Sequence, residues 1–139
     1  MVIALDIGGT HIRIAKVSGT RIINKIIIRT PKQNKAFLSI ISKLISSYLK
    51  NNPKEKTVCI ALAGFVKNGK VVETPNFNLG KFDLKKFIEK NYKIKVYLEN
   101  DAKCVGIAEK HYGFGRKKKN FIVLTLGTGI GGAIFVNGK

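Results

Sequence analysis

The chain repeats itself at a distance. Set without a gap, "IALDIGGTHIRIAKVSG" (Ile3 to Gly19) lies over "IVLTLGTGIGGAIFVNG" (Ile122 to Gly138). Ile3 matches Ile122, Leu5 matches Leu124, Gly8 matches Gly127, Val17 matches Val136 and Gly19 matches Gly138. The identities alone are weak. The shared order weighs more: an apolar strand, a Gly/Thr-rich turn, a returning strand, and a second turn containing glycine. A repeated supersecondary unit points to a fold built by duplication.

The segments between the repeats fix the fold class. "VIALDI" ends at Gly8-Gly9-Thr10. "HIRIAKV" alternates, with Ile12 and Ile14 on one side and His11, Arg13 and Ala15 on the other. "RIINKIIIRT" closes at Pro31. Together they read as a three-stranded meander. "NKAFLSIISKLISSYLKNNP" has one broad apolar face at a 3.6-residue period, which predicts a helix stopped by Asn51-Asn52-Pro53. "TVCIALAG" reads as a strand buried on both faces. "KNGK" is a hairpin-type turn followed by "VVETPNFN". "DLKKFIEKNY" is a short helix with Asp83 as its cap. "IKVYLEN" is a strand, "DAKCVGIAEKHYG" a helix from Asp101 to Gly113, and "FIVLTL" a last core strand. The expected order is β-β-β-α-β-α-β-α, then the hairpin of the second repeat. Strands alternating with helices predict a mostly parallel α/β sheet with an antiparallel flank.

Composition excludes several classes. Hydrophobic residues make up 45% of 139 residues, enough for a real core. No apolar run approaches the roughly 20 residues that span a bilayer. "MVIALDIGG" lacks a basic start and does not read as a signal peptide. Cys59 and Cys104 stand in separate apolar segments without CxxC spacing, which argues against a disulfide or zinc site and for a reducing cytoplasm. The net charge of +18 raises a nucleic-acid partner. However, only four of the 26 basic residues are arginines, and the lysines are dispersed. The dense run Arg116-Lys117-Lys118-Lys119 joins two elements. A solvated, AT-biased composition explains this better than a specific nucleic-acid surface.

The glycine turns have a chemical use. At the end of a buried strand, such a turn lets backbone N–H groups approach an anion, because no Cβ intervenes. Two such turns in related units suggest a phosphate chain held from both sides. A pair of ordinary glycine hairpins is the competing reading. The alternation of Gly127, Gly129, Gly131 and Gly132 exceeds what a turn needs. Asp101 follows a buried strand and heads a helix, at a strand end where α/β sites form. The residues alone leave it two roles, helix cap or general base.

"LDIGGT" (Leu5 to Thr10), "ENDA" (Glu99 to Ala102) and "LGTGIGGAI" (Leu126 to Ile134) together resemble the ROK family of repressors, uncharacterised frames and sugar kinases in the actin-like ATPase superfamily. The resemblance covers the whole chain. It implies a duplicated α/β fold with an ATP and sugar cleft between two lobes: residues 1–120 as the first lobe and 121–139 as the first hairpin of a truncated second. The chain is then expected to be a truncated or split kinase, or a piece cut in mid-fold. The family's later Glu and His, its cysteine-rich zinc loop and its adenosine-binding part are not in these residues, so no zinc is expected here. The family's repressors carry a winged helix before "DIGGT"; with Asp6 five residues from Met1, a regulator of that kind is not expected.

The resemblance also implies roles. Asp101 becomes the general base and also contacts the sugar. Asn100 bonds sugar hydroxyls through its amide. Glu99 braces the turn or points away. Asp6 holds hydrated Mg²⁺. Gly8, Gly9, Thr10, Gly127, Thr128 and Gly129 line the phosphates of ATP. Gly64 matches a turn that touches the sugar, although Ala-Gly-Phe replaces the family's Pro-Gly-Pro-like stretch. Asn76, in "TPNF", is a weaker sugar-side candidate. His11 and His111 are not expected to be ligands. The expected function is ATP-dependent phosphorylation of a hexose or N-acetylhexosamine; the alternative is a sugar- or partner-binding lobe without turnover. The expected partners are sugar, ATP, and a second-lobe chain or another copy, with no specific nucleic acid and no membrane.

Overall fold

The computed structural model describes residues 1–75, 79, 82–127 and 129–139. They form two compact units, Met1–Glu99 and Asn100–Lys139.

The first unit opens with β1 (Val2–Ile7), β2 (His11–Ser18) and β3 (Arg21–Arg29). They form the expected meander, β1 antiparallel to β2 and β2 to β3. The helix α1 (Asn34–Asn51) follows, then β4 (Thr57–Leu62), which pairs parallel to β1. Two short strands, β5 (Phe65–Lys67) and β6 (Lys70–Glu73), precede α2 (Leu84–Tyr92) and β7 (Lys95–Asn100). The sheet order is β3-β2-β1-β4-β7.

Apolar patterning explains the packing. Phe37, Ile41, Ile45 and Tyr48 recur along one side of α1 and are all buried. They share one core with Ile3, Leu5, Ile7, Ile12, Ile14, Val58, Ile60 and Leu62 of the sheet, and with Leu84 and Ile88 of α2. Asp83 caps α2 as expected, accepting from the Lys86 amide. The alternation in β2 breaks where its register with β3 shifts between Ile14 and Lys16. Asn24 takes a positive φ of 53° there. The Tyr48 hydroxyl, with its pKa raised by burial, donates to the carbonyls of both Ile14 and Asn24. Ala15 is buried at this irregularity, against the expected alternation.

Three expectations need correction. The predicted order passed over β5 and β6, which Asn68-Gly69, both with positive φ, join as a tight hairpin. The strand β4 is not buried on both faces: Val58, Ile60 and Leu62 are buried, whereas Thr57, Cys59 and Ala61 are half-exposed. The last strand is not a fully buried core strand, as the second unit shows.

That unit comprises α3 (Asp101–Tyr112), β8 (Phe121–Leu126) and β9 (Ile130–Phe135), with β8 antiparallel to β9. The helix lies on the hairpin through small residues. A Cβ on Gly106 would fall 2.6 Å from Ala133 and 3.0 Å from the Phe135 ring. A Cβ on Gly131 would fall 2.6 Å from the Thr125 hydroxyl and 3.0 Å from Ala102. Phe121 stacks on Phe135 at 4.5 Å. Phe121 and Val123 are half-buried. The uncovered face is Ile122, Leu124, Leu126, Ile130, Ile134 and Val136.

Candidate active site

The first glycine turn is fixed by its neighbours. The Gly8 amide donates to the His11 carbonyl at 2.9 Å, so a Cβ on Gly8 would crowd that oxygen at 3.2 Å. Thr30 Oγ1 donates to the Gly8 carbonyl at 2.7 Å, the Thr30 amide to the Thr10 carbonyl at 2.9 Å, and Lys32 Nζ to the Gly9 carbonyl at 2.9 Å. Three successive carbonyls are thus tied to the segment after β3. Parallel pairing brings Gly64 to the same sheet edge: Ile7 is opposite Leu62, and the Ala63 amide donates to the Ile7 carbonyl. Gly64 also has a packing reason to be glycine, since a Cβ would lie 2.5 Å from the Glu73 carbonyl.

Asp6 stands one residue before the end of β1, directly opposite Arg13 on β2. Arg13 Nη1 donates to Asp6 Oδ2 at 2.8 Å, and both side chains are about half exposed, 47% and 45%. An ion pair this exposed is worth about 0–1 kcal/mol. It orients the carboxylate more than it stabilises the fold. One solvent-reachable carboxylate suits a hydrated Mg²⁺, which keeps several waters and needs few protein ligands. No group of three or more His, Cys, Asp or Glu gathers into a cage among the described residues.

In the second unit, the start of α3 shows which residue caps the helix. Asn100 is the cap: its backbone is extended and its Oδ1 accepts from the Lys103 amide at 3.0 Å. Asp101 is the first helical residue. Its Oδ1 accepts from Asn100 Nδ2 at 3.0 Å and from the Ala102 amide at 2.9 Å. The carboxylate is therefore oriented through one oxygen, and the other, Oδ2, takes no hydrogen bond from the described residues. Ala102 faces Gly131, two residues beyond Gly129, so Asp101 heads the end of α3 that adjoins the second glycine turn.

The glycines of that turn divide into two kinds. Gly131 and Gly132 are required by packing, since a Cβ on Gly132 would lie 2.9 Å from the Val123 carbonyl. Gly127 and Gly129 have no atom within 4 Å of an added Cβ, and neither φ is in the left-handed region. Packing and backbone within the described residues do not demand glycine at either. Thr128 and Asn76 lie outside the described residues. The structure thus gathers Asp6, Gly8, Gly9, Thr10 and Gly64 in the first unit. It gathers Asn100, Asp101, Gly127 and Gly129 in the second. Arg13, Thr30 and Lys32 were missed; the cross-strand alternation of "HIRIA" was a signal for Arg13.

A ROK family profile matches residues 2–139. The chain belongs to the ROK family. It is 32% identical to a glucokinase of Halalkalibacterium halodurans, over 99% of this chain and 44% of that protein. It is 33% identical to an N-acetylmannosamine kinase of Haemophilus influenzae, over 97% of this chain and 46% of that protein. Its fold matches that of a ROK family glucokinase from Streptomyces griseus, solved with glucose and AMPPNP. That match has a TM-score of 0.87 and 30% identity, and covers 99% of this chain and 45% of that one. The chain thus has the α/β fold of the ROK kinases, of the actin-like ATPase type, and spans a little under half the length of these relatives. No helix among the described residues is long and apolar enough to cross a membrane.

Proposed function

We propose that these residues are part of a sugar kinase that moves a phosphoryl group from ATP to a sugar hydroxyl. The observation that carries this reading is the start of α3: a carboxylate oriented through one oxygen, the other without a hydrogen bond from the described residues, beside a glycine turn. Asp101 takes the proton from the sugar hydroxyl as that oxygen attacks phosphorus. The Asn100 amide orients Asp101 and is the candidate partner of a sugar hydroxyl. Gly64 and Asn76 are further sugar-side candidates. Gly8, Gly9, Thr10, Gly127, Thr128 and Gly129 line the phosphates of ATP. At Gly127 and Gly129 an approaching phosphate supplies the reason for glycine that packing does not. Asp6 would hold Mg²⁺ through water, and the ion so held would supply charge stabilisation for phosphoryl transfer.

The sugars of the relatives, glucose and N-acetylmannosamine, define the candidate class: hexoses and N-acetylhexosamines. Residues 1–120 form the first lobe and 121–139 the opening hairpin of the second. Because the chain spans under half of its relatives' length, we read it alone as a lobe that binds without turnover. A second-lobe chain or another copy completes it. The test is ADP release with a panel of hexoses and N-acetylhexosamines. The 139-residue chain is expected to be silent, and a polypeptide extended to its relatives' length to turn over. Sugar-dependent turnover of about 1 s⁻¹ or more by a clean monomer of the short chain contradicts the half-site reading. Silence of the extended form with every sugar contradicts the kinase reading.

A further inference from the structure

We propose that Arg13 is the resident counter-ion of Asp6, holding the carboxylate and competing with the divalent cation for it until a phosphate chain draws the guanidinium away. This rests on the reading of Asp6 as the carboxylate of the hydrated cation, and adds a positioning residue that regulates access to it.

Register places the two side chains directly opposite on β1 and β2, and Nη1 meets Oδ2 at 2.8 Å. A guanidinium is a permanent charge, so the pair breaks by exchange of partners and not by loss of a proton. Asp6 therefore already has a cationic partner in Arg13. Lys32 places a second cationic side chain at the same turn, its ammonium on the Gly9 carbonyl. The described contacts at this turn set two cationic side chains, Arg13 and Lys32, against one carboxylate, Asp6. A bare divalent cation meets repulsion there. A cation carried on a polyphosphate does not, because the phosphate oxygens offer Arg13 and Lys32 new partners, and a guanidinium fork fits them bidentately. Both side chains of the pair are half exposed, so exchange needs no opening of the core. Arg13 thus makes cation binding conditional on phosphate.

The test uses the 139-residue chain and Mn²⁺ as a spin probe for the cation, without nucleotide. The parent is expected to bind Mn²⁺ weakly or not at all. Arg13→Gln, which removes the unit charge, is expected to bind it about tenfold or more tightly. Arg13→Lys keeps the charge and is expected to stay near the parent. Adding inorganic tripolyphosphate should narrow the gap between parent and Arg13→Gln. Circular dichroism and thermal melts check that each variant folds. Equal Mn²⁺ binding by parent and Arg13→Gln, including none by either, overturns the proposal and leaves the kinase reading standing. If Asp6→Asn/Arg13→Gln keeps the tightened site, Asp6 is not the cation's carboxylate, and both readings of it fall.

Discussion

Leu5 and Leu124 hold the same place in the repeat, yet Leu5 is 2% exposed and Leu124 67%. The same inversion runs along both hairpins. Ile3, Leu5 and Ile7 share the core with α1, while Ile122, Leu124 and Leu126 face outward. In the second hairpin α3 packs on the opposite face, at Gly131, Ala133 and Phe135. The strand and turn pattern is therefore common to both repeats, but the covering helix chooses the face. Both faces of the second hairpin are apolar, as expected of strands that are covered on both sides in an α/β sheet.

The two hairpins also differ by one residue in register. Ile7 pairs with Ile12 across the first turn, whereas Leu126 pairs with Ile130 across the second. The gapless alignment would set Leu126 opposite Gly131. The shift persists to the next turn, where Val136 and Lys139 exchange both hydrogen bonds around Asn137-Gly138. Ser18 and Arg21 pair around the matching turn of the first repeat, one place later in the alignment. The second glycine turn is shorter by one residue, with its own Gly127 N–H to Gly129 carbonyl bond at 2.9 Å.

The comparison can be broken at several points. The largest expected effect is at the buried partner: Leu5→Ala should cost about 2–5 kcal/mol in urea unfolding. A loss below about 1 kcal/mol, the range of surface changes, would mean that the first hairpin is not held by its α1 face. Next is Gly106→Val, whose added atoms meet Ala133 and Phe135. Overpacking of this kind costs about 1–3 kcal/mol. It should appear as faster amide exchange in β8 and β9, with β1 and β2 unchanged. The smallest effect belongs to Leu124→Ala, within about 0.5 kcal/mol of the parent, with reduced self-association by light scattering. Destabilisation equal to that of Leu5→Ala would show that the open face is covered in solution.

Much of this was legible in the residues, for identifiable reasons. The period of Phe37, Ile41, Ile45 and Tyr48 gave α1, Asp83 gave the start of α2, and Gly8-Gly9-Thr10 gave the end of β1. The strands β5 and β6 carried the signal Asn68-Gly69, but three and four residues are too short for a period to register. The face that α3 covers is set by tertiary packing at Gly106 and Gly131, which strand alternation does not encode. Asn100 and Asp101 are equally good caps by residue type. The extended backbone of Asn100 makes it the cap and leaves Asp101 inside the helix. That choice converts an ambiguous acidic residue into a candidate base.

The central claim is that the Asp101 carboxylate removes the proton from a sugar hydroxyl. The direct measurement is sugar-dependent ADP release by Asp101→Asn in a form extended to its relatives' length, beside sugar affinity by calorimetry. Asparagine keeps the shape and an acceptor for the Ala102 amide, but cannot take a proton. The account predicts turnover lower by about 10²- to 10⁴-fold with sugar affinity nearly unchanged. Turnover within a few-fold of the parent would contradict it.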